Sequence, residues 1–221
     1  RPLSLVFLLK MVAYKLFYFP FKGLAEGIRL IFHQAKVPFE DKGVTQAEWP
    51  EHKSKTTYGH MPCLIEDGKI LCDSLAISRH LGETFGLVPK DVWERAKADE
   101  LATAWTDMGR ETASIMAQTT PETKSAKAKE VVEKFVKPRL AVYEKHFEGS
   151  KSGLTASELS WADFSIYNAL KVVAHFYGQD LSHYKHIAAF LHKIEHLPNV
   201  KAYIAERKAI PIAPISFADL L

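Results

Sequence analysis

"MPCLIEDGKILCDSLAISRHLGETFGL", residues 61–87, is the stretch whose reading decides the fold. Asp67-Gly68 stands between two apolar runs, and this dipeptide suits a type I′ turn because both central positions need positive φ. The two runs therefore pair as a hairpin. Counting outward from the turn sets Glu66 opposite Lys69, Ile65 opposite Ile70 and Cys63 opposite Cys72. "DSLAISRHLGETFGL" then reads as a helix, with Ser74 in its first turn, Leu75, Ile77 and Leu81 along its body and Gly86 after its end.

Upstream, residues 13–19 are rich in aromatic and branched side chains and read as a buried strand. A helix follows over about residues 24–35, with Leu24, Ile28, Ile31 and Phe32 on its apolar side. "KVPFEDKGV" reads as a second strand, and "TQAEWPEHKSKTTYGH" as a polar connection with one proline and no sustained period. Strand, helix, strand, hairpin, helix make an α/β module ending near Leu87. From Asp91 the texture changes: "DVWERAKADELATAWTDMGRETASIMAQ" and the three apolar-periodic segments after it lack strand alternation. This half reads as all-helical, with "VPKD", residues 88–91, as the linker. "SWAD", residues 160–163, is a capping-box start in which Asp163 replaces the usual Glu or Gln, so Ser160 and Asp163 read as folding residues.

The bulk numbers exclude several classes. Of 221 residues, 47% are hydrophobic and 25% charged, which is ordinary for a globular protein. The formal charge is only +3, and the lysines alternate with acids, as in "KAKEVVEKFVKPR", so no nucleic acid partner is expected. Two cysteines supply neither a disulfide framework nor a zinc cluster, and no metal is expected. They read as two buried reduced thiols in a reducing compartment, with a cross-strand bridge as the alternative. Without a Cys-x-x-Cys, a dithiol redox protein is disfavoured. The apolar run in "RPLSLVFLLK" is too short to span a bilayer, and no membrane partner is expected. Residues 1–10 read as an N-terminal extension. The alternative, a remnant of a secretory signal, would make the protein secreted instead of cytoplasmic.

Met61-Pro62 enters the hairpin at a position suited to a sheet edge. If that bond is cis, the N–H and C=O of Met61 turn outward, ready for an extended peptide. Ser74 at a helix start offers free N–H groups to an anion, and Asp73 before it can accept an amine. Trp49 and Lys53, four apart, would add an indole N–H and an ammonium for a second carboxylate. The set describes a site for a small peptide.

At this point "YKLFYF", "GLAE.IRLIF", "EWPEHK", "GHMPCL..DGK.L.DSLAISRHL" and "WADF" together resemble a cytosolic glutathione transferase, nearest the sigma class and its nematode members. The resemblance runs from Met11 to the C-terminal region. It implies a thioredoxin-like, glutathione-binding domain over residues 11–88, an all-helical domain over residues 92–221 that completes a hydrophobic pocket, and a homodimer. It implies that Tyr18 is the catalytic tyrosine, that Trp49 and Lys53 meet the glycyl carboxylate, and that Gly59, His60, Met61 and Pro62 form the cis-proline turn. Asp73 and Ser74 would hold the γ-glutamyl group, and Asp107, on the first long helix, would reach the neighbouring subunit's glutathione. Leu24 stands where many members carry an arginine, Asp73 where glutamine is usual, and His60 where glutamine or lysine is usual. Phe21, Leu24, Met108, Thr112 and Phe217 are candidates for the pocket of a small hydrophobic electrophile. The implied activity is glutathione conjugation in detoxification, with peroxidase or prostaglandin D isomerase activity as variants; a non-catalytic carrier or crystallin-like protein of the same fold is the alternative. The tyrosine's phenol would lower the pKa of the glutathione thiol by hydrogen bonding to its anion.

Overall fold

The computed structural model describes residues 13–214 and 217–220, of residue 219 the backbone alone. The first strand, β1 (Tyr14–Tyr18), buries Tyr14, Leu16 and Tyr18 and leaves Lys15 and Phe17 half-covered, the two-residue period of a pleated strand. A turn of 3-10 helix leads into α1 (Glu26–Ala35), then β2 (Glu40–Gly43), α2 (Trp49–Lys53), β3 (Cys63–Glu66), β4 (Lys69–Cys72) and α3 (Ser74–Phe85). The sheet order is β2-β1-β3-β4. β1 and β2 run parallel across α1, while β3 and β4 form the antiparallel hairpin beside β1.

The hairpin register is the one the turn demanded, with Glu66 facing Lys69, Ile65 facing Ile70 and Cys63 facing Cys72. Asp67 and Gly68 both have positive φ, at 45° and 84°. Both cysteines are buried free thiols. α3 starts on Asp73, whose Oδ1 accepts from Leu75 N and Ala76 N at 3.0 Å each, and it stops at a left-handed Gly86. The expected featureless connection holds α2 instead. Its five residues are too few to print a hydrophobic period, and Pro50 in the first turn costs no intrahelical bond.

The second half consists of α4 (Val92–Thr103), α5 (Met108–Met116), α6 (Pro121–Val131) running through a π segment (Val132–Val136) into α7 (Lys137–Gly149), α8 (Trp161–Tyr177), α9 (Lys185–Glu195) and α10 (Lys201–Glu206). The single helix expected from Asp91 to Gln118 breaks between α4 and α5. Thr103 and Thr106 bond back to the carbonyls of Asp99 and Thr103, and Trp105 turns inward to stack on Tyr143. Asp107 therefore sits at the break, just before α5, and not on a continuous helix.

α8 is the central strut. Its capping box is formed as expected, and Asp163 also accepts from Thr155 N at 2.8 Å, so one fully buried carboxylate ties a loop to the helix start. α1 and α3 pack against α8. The contact is close because Gly27 lies against the Phe164 backbone and Gly82 against the Trp161 indole. Trp161 N donates to Leu87 O at 2.9 Å, fixing the chain just before the expected linker.

Candidate active site

Tyr18 ends β1 and is buried, its ring edge-on to Phe19 and Phe21. Its Oη accepts from Leu24 N at 3.0 Å. No acceptor among the described residues takes the phenolic proton, so the hydroxyl is free to donate. Burial pushes this phenol above its ordinary value, while the Leu24 N–H and the nearby Arg29 charge pull it back. Tyr18 is thus protonated through neutral pH.

The loop that brings Leu24 N to Tyr18 is held from three sides. From below, the buried Arg29 donates through one guanidinium nitrogen to the carbonyls of Phe21 and Lys22, each at 3.2 Å. The same guanidinium forks onto Asp41 at 2.8 and 3.2 Å and reaches Glu26 at 3.2 Å, so the buried charge is paired on both flanks. From α8, Asn168 Nδ2 donates to Gly23 O at 2.8 Å. From the C-terminal segment, the carbonyls of Pro211 and Ile212 accept from Lys22 N and Gly23 N at 2.9 and 2.8 Å. Gly23 itself has φ +44°, and a Cβ there would lie 2.5 Å from Tyr18 Oη. Only glycine lets the loop approach the phenol so closely.

Sequence reasoning missed Arg29, Asp41, Glu26 and Asn168. A signal existed for one pair: Glu26 and Arg29 are three apart, in helical reach of each other, and Arg29 interrupts an otherwise apolar run. Nothing local marked Asp41 or Asn168.

A cavity of about 520 Å³ opens at this point between the two halves. The structure brings Tyr18, Leu24, Asp73 and Ser74 to its wall, together with the pocket candidates Phe21, Met108 and Thr112. Val172 and Phe176 of α8 complete the apolar side. Phe217 is not in the wall. It is buried behind Phe176, ring centroids 5.9 Å apart, and is a core residue.

The remaining candidates lie outside the cavity wall. Trp49 packs edge-on to Phe19, and the Lys53 side chain runs beside Gly59. Met61-Pro62 is cis and buried, and His60 is exposed and stacked on Tyr58 while its carbonyl accepts from the Cys63 thiol. Asp107 pairs with Arg110 of its own chain at 3.3 Å. The Asp73 carboxylate has one oxygen occupied by the α3 cap, which leaves Oδ2 to meet a ligand.

An α/β module followed by a helical half in this arrangement has counterparts in known proteins. The family models for the glutathione S-transferase N-terminal and C-terminal domains match residues 12–83 and 106–207. Glutathione S-transferase 1 of Ascaris suum is 36% identical over 91% of this chain and all of its own length. This chain belongs to the glutathione S-transferase family. Glutathione S-transferase 4 of Caenorhabditis elegans is 34% identical over 90% of the chain and 98% of its own. Among solved structures, that of prostaglandin synthase D of Nilaparvata lugens superposes with a TM-score of 0.80 at 32% identity, covering 88% of this chain and 98% of the other. The fold of this transferase is therefore a thioredoxin-like mixed sheet with helices followed by a helical domain. The family uses glutathione as co-substrate. Among the described residues, no helix is long and apolar enough to cross a membrane.

Proposed function

We propose that this glutathione S-transferase transfers the thiolate of glutathione to small hydrophobic electrophiles, with Tyr18 as the catalytic residue. The carrying observation is the Tyr18 hydroxyl, fixed by Leu24 N with its proton unclaimed at the edge of an apolar cavity. A thiol with a pKa near 8.5 is mostly protonated at neutral pH, and one hydrogen bond to its anion shifts the balance toward the nucleophile. The Arg29 guanidinium, 5.9 Å from the Tyr18 ring, adds positive potential. Leu24 lacks the charge many relatives of this kind carry, yet the donor Tyr18 uses is its backbone N–H, which any residue but proline supplies there.

On this reading Ser74 and the start of α3 receive the γ-glutamyl carboxylate, and Asp73 Oδ2 its ammonium group. Met61 and Pro62, with Gly59 and His60 before them, offer backbone to the cysteinyl unit, while Trp49 and Lys53 take the glycyl carboxylate. Phe21, Leu24, Met108 and Thr112 face the electrophile. Residues 11–88 then form the glutathione-binding domain and residues 92–221 the domain that supplies the pocket wall. Asp107 is assigned to a neighbouring subunit's glutathione in a homodimer. We assign the protein to the sigma class, with a cytoplasmic role in detoxification, and include lipid hydroperoxides and prostaglandin H among its candidate substrates.

Turnover of an aryl halide with glutathione tests this. Tyr18→Phe should lose about 1.5–3 kcal/mol of anion stabilisation, roughly tenfold to a hundredfold in rate, because a hydrogen bond to a charged group is removed. A carrier protein would show no tyrosine-dependent turnover and keep its ligand.

A further inference from the structure

Cys63 and Cys72 are direct register partners on β3 and β4, both buried and both free. Hydrogen-bonded and non-bonded pairs alternate outward from the two-residue turn. Glu66 and Lys69, next to the turn, are the bonded kind, so Cys63 and Cys72 fall on a non-bonded pair, where Cα atoms stand about 4.5 Å apart. That spacing lies within the roughly 4.4–6.8 Å that disulfides span. Burial holds the Cys63 thiol well above its ordinary range, and the neighbouring Cys72 thiol adds to the rise.

Their place in the chain gives the pair its interest. Cys63 follows Met61-Pro62, and Cys72 precedes Asp73 and Ser74. β4 is the sheet edge, with Lys69 and Ile70 exposed, and an edge strand is where local opening costs least.

We propose that Cys63 and Cys72 form a reversible cross-strand disulfide in exchange with a low-molecular-weight disulfide, and that the bridge weakens glutathione binding. The Cys72 thiolate attacks one sulfur of the small disulfide and expels one thiolate. Cys63 then gives its proton to water and attacks the Cys72 sulfur of the mixed disulfide, expelling the second. Two protein S–H bonds and one small disulfide become one protein disulfide and two small thiols. Bridging draws the two Cβ atoms together by roughly half an ångström to 1 Å, from the close separation of a non-bonded strand pair to that of a disulfide. It also removes the Cys63 thiol from the carbonyl of His60. Because Cys63 adjoins Met61-Pro62 and Cys72 adjoins Asp73-Ser74, the strain of bridging falls on both ends of the peptide-binding segment. The effect on binding rests on the glutathione site proposed above, whereas the bond itself does not.

The full chain is oxidised with excess 2-hydroxyethyl disulfide, desalted, and divided, with half re-reduced by dithiothreitol. Alkylation after denaturation and peptide mapping should give one intrachain Cys63–Cys72 cross-link, two hydrogens lighter than the reduced peptides. S-methylglutathione, whose blocked sulfur cannot reduce the bridge, should bind the oxidised half at least about tenfold more weakly, on the order of one charge-assisted hydrogen bond lost. Re-reduction should restore affinity, and the small disulfide should leave the affinity of Cys72→Ala unchanged. Two alkylatable thiols after oxidation, or cross-links only between chains, overturn the bridge. Equal affinities of the two halves overturn its control of the site. Failure of the re-reduced half to bind S-methylglutathione overturns both that control and the glutathione reading, while the cross-link is scored independently.

Discussion

At Tyr18 the proton is kept by burial and aimed by the Leu24 N–H, and both depend on a loop that could not form with another residue at position 23. A Cβ at Gly23 would meet Tyr18 Oη at 2.5 Å and the Phe21 ring at 2.7 Å, in a backbone region with φ +44°. Gly23→Ala should therefore lower kcat/KM by about tenfold or more and stability by about 1–3 kcal/mol, measured by steady-state kinetics and urea unfolding. Of this residue-scale machinery the sequence exposed only part. Tyr18, Asp73 and Ser74, which all line the cavity, were legible: Tyr18 and Ser74 match a family pattern in type and spacing, and Asp73 in spacing alone. Arg29, Asp41 and Asn168 were not, since each acts on a partner brought near by folding: Asn168 reaches Gly23 O across the two halves.

Among the elements, the hairpin was read to the residue because a two-residue turn and a period of two leave one register. α2 and the break after α4 were missed for the opposite reason. The first is shorter than any detectable period, and the second is made by Trp105 finding Tyr143, a contact no window of sequence contains. The α8 start was legible in "SWAD", although the further bond from Thr155 N to Asp163 was not. Asp163→Ala would orphan the buried N–H groups of Thr155 and Ser160, each held at 2.8 Å. At about 1–3 kcal/mol for each stranded donor, we expect a loss of at least about 2 kcal/mol in urea unfolding. The disturbance should spread from α8 to the site, because Asn168 lies on the same helix.

Over the whole molecule, the site exists only where the two halves meet, since Tyr18 comes from the sheet module and Met108, Val172 and Phe176 from the helices. That seam is closed by glycines. A Cβ at Gly82 would fall 2.5 Å from the Trp161 ring. Gly82→Val should cost about 2–3 kcal/mol by overpacking and lower the affinity for apolar electrophiles more than for glutathione, read by urea unfolding and separate KM values. The division into an α/β module and a helical half was plain from the change in period near Asp91. The depth of their contact was not, because glycines that permit close packing look in sequence like any other glycine.

The most direct test is titration of the bound glutathione thiol, followed by thiolate absorbance in the wild type and in Tyr18→Phe. The prediction is a midpoint below the roughly 8.5 of a free thiol in the wild type, rising back toward that value when the phenolic oxygen is removed. An equal midpoint in the two proteins would contradict the account.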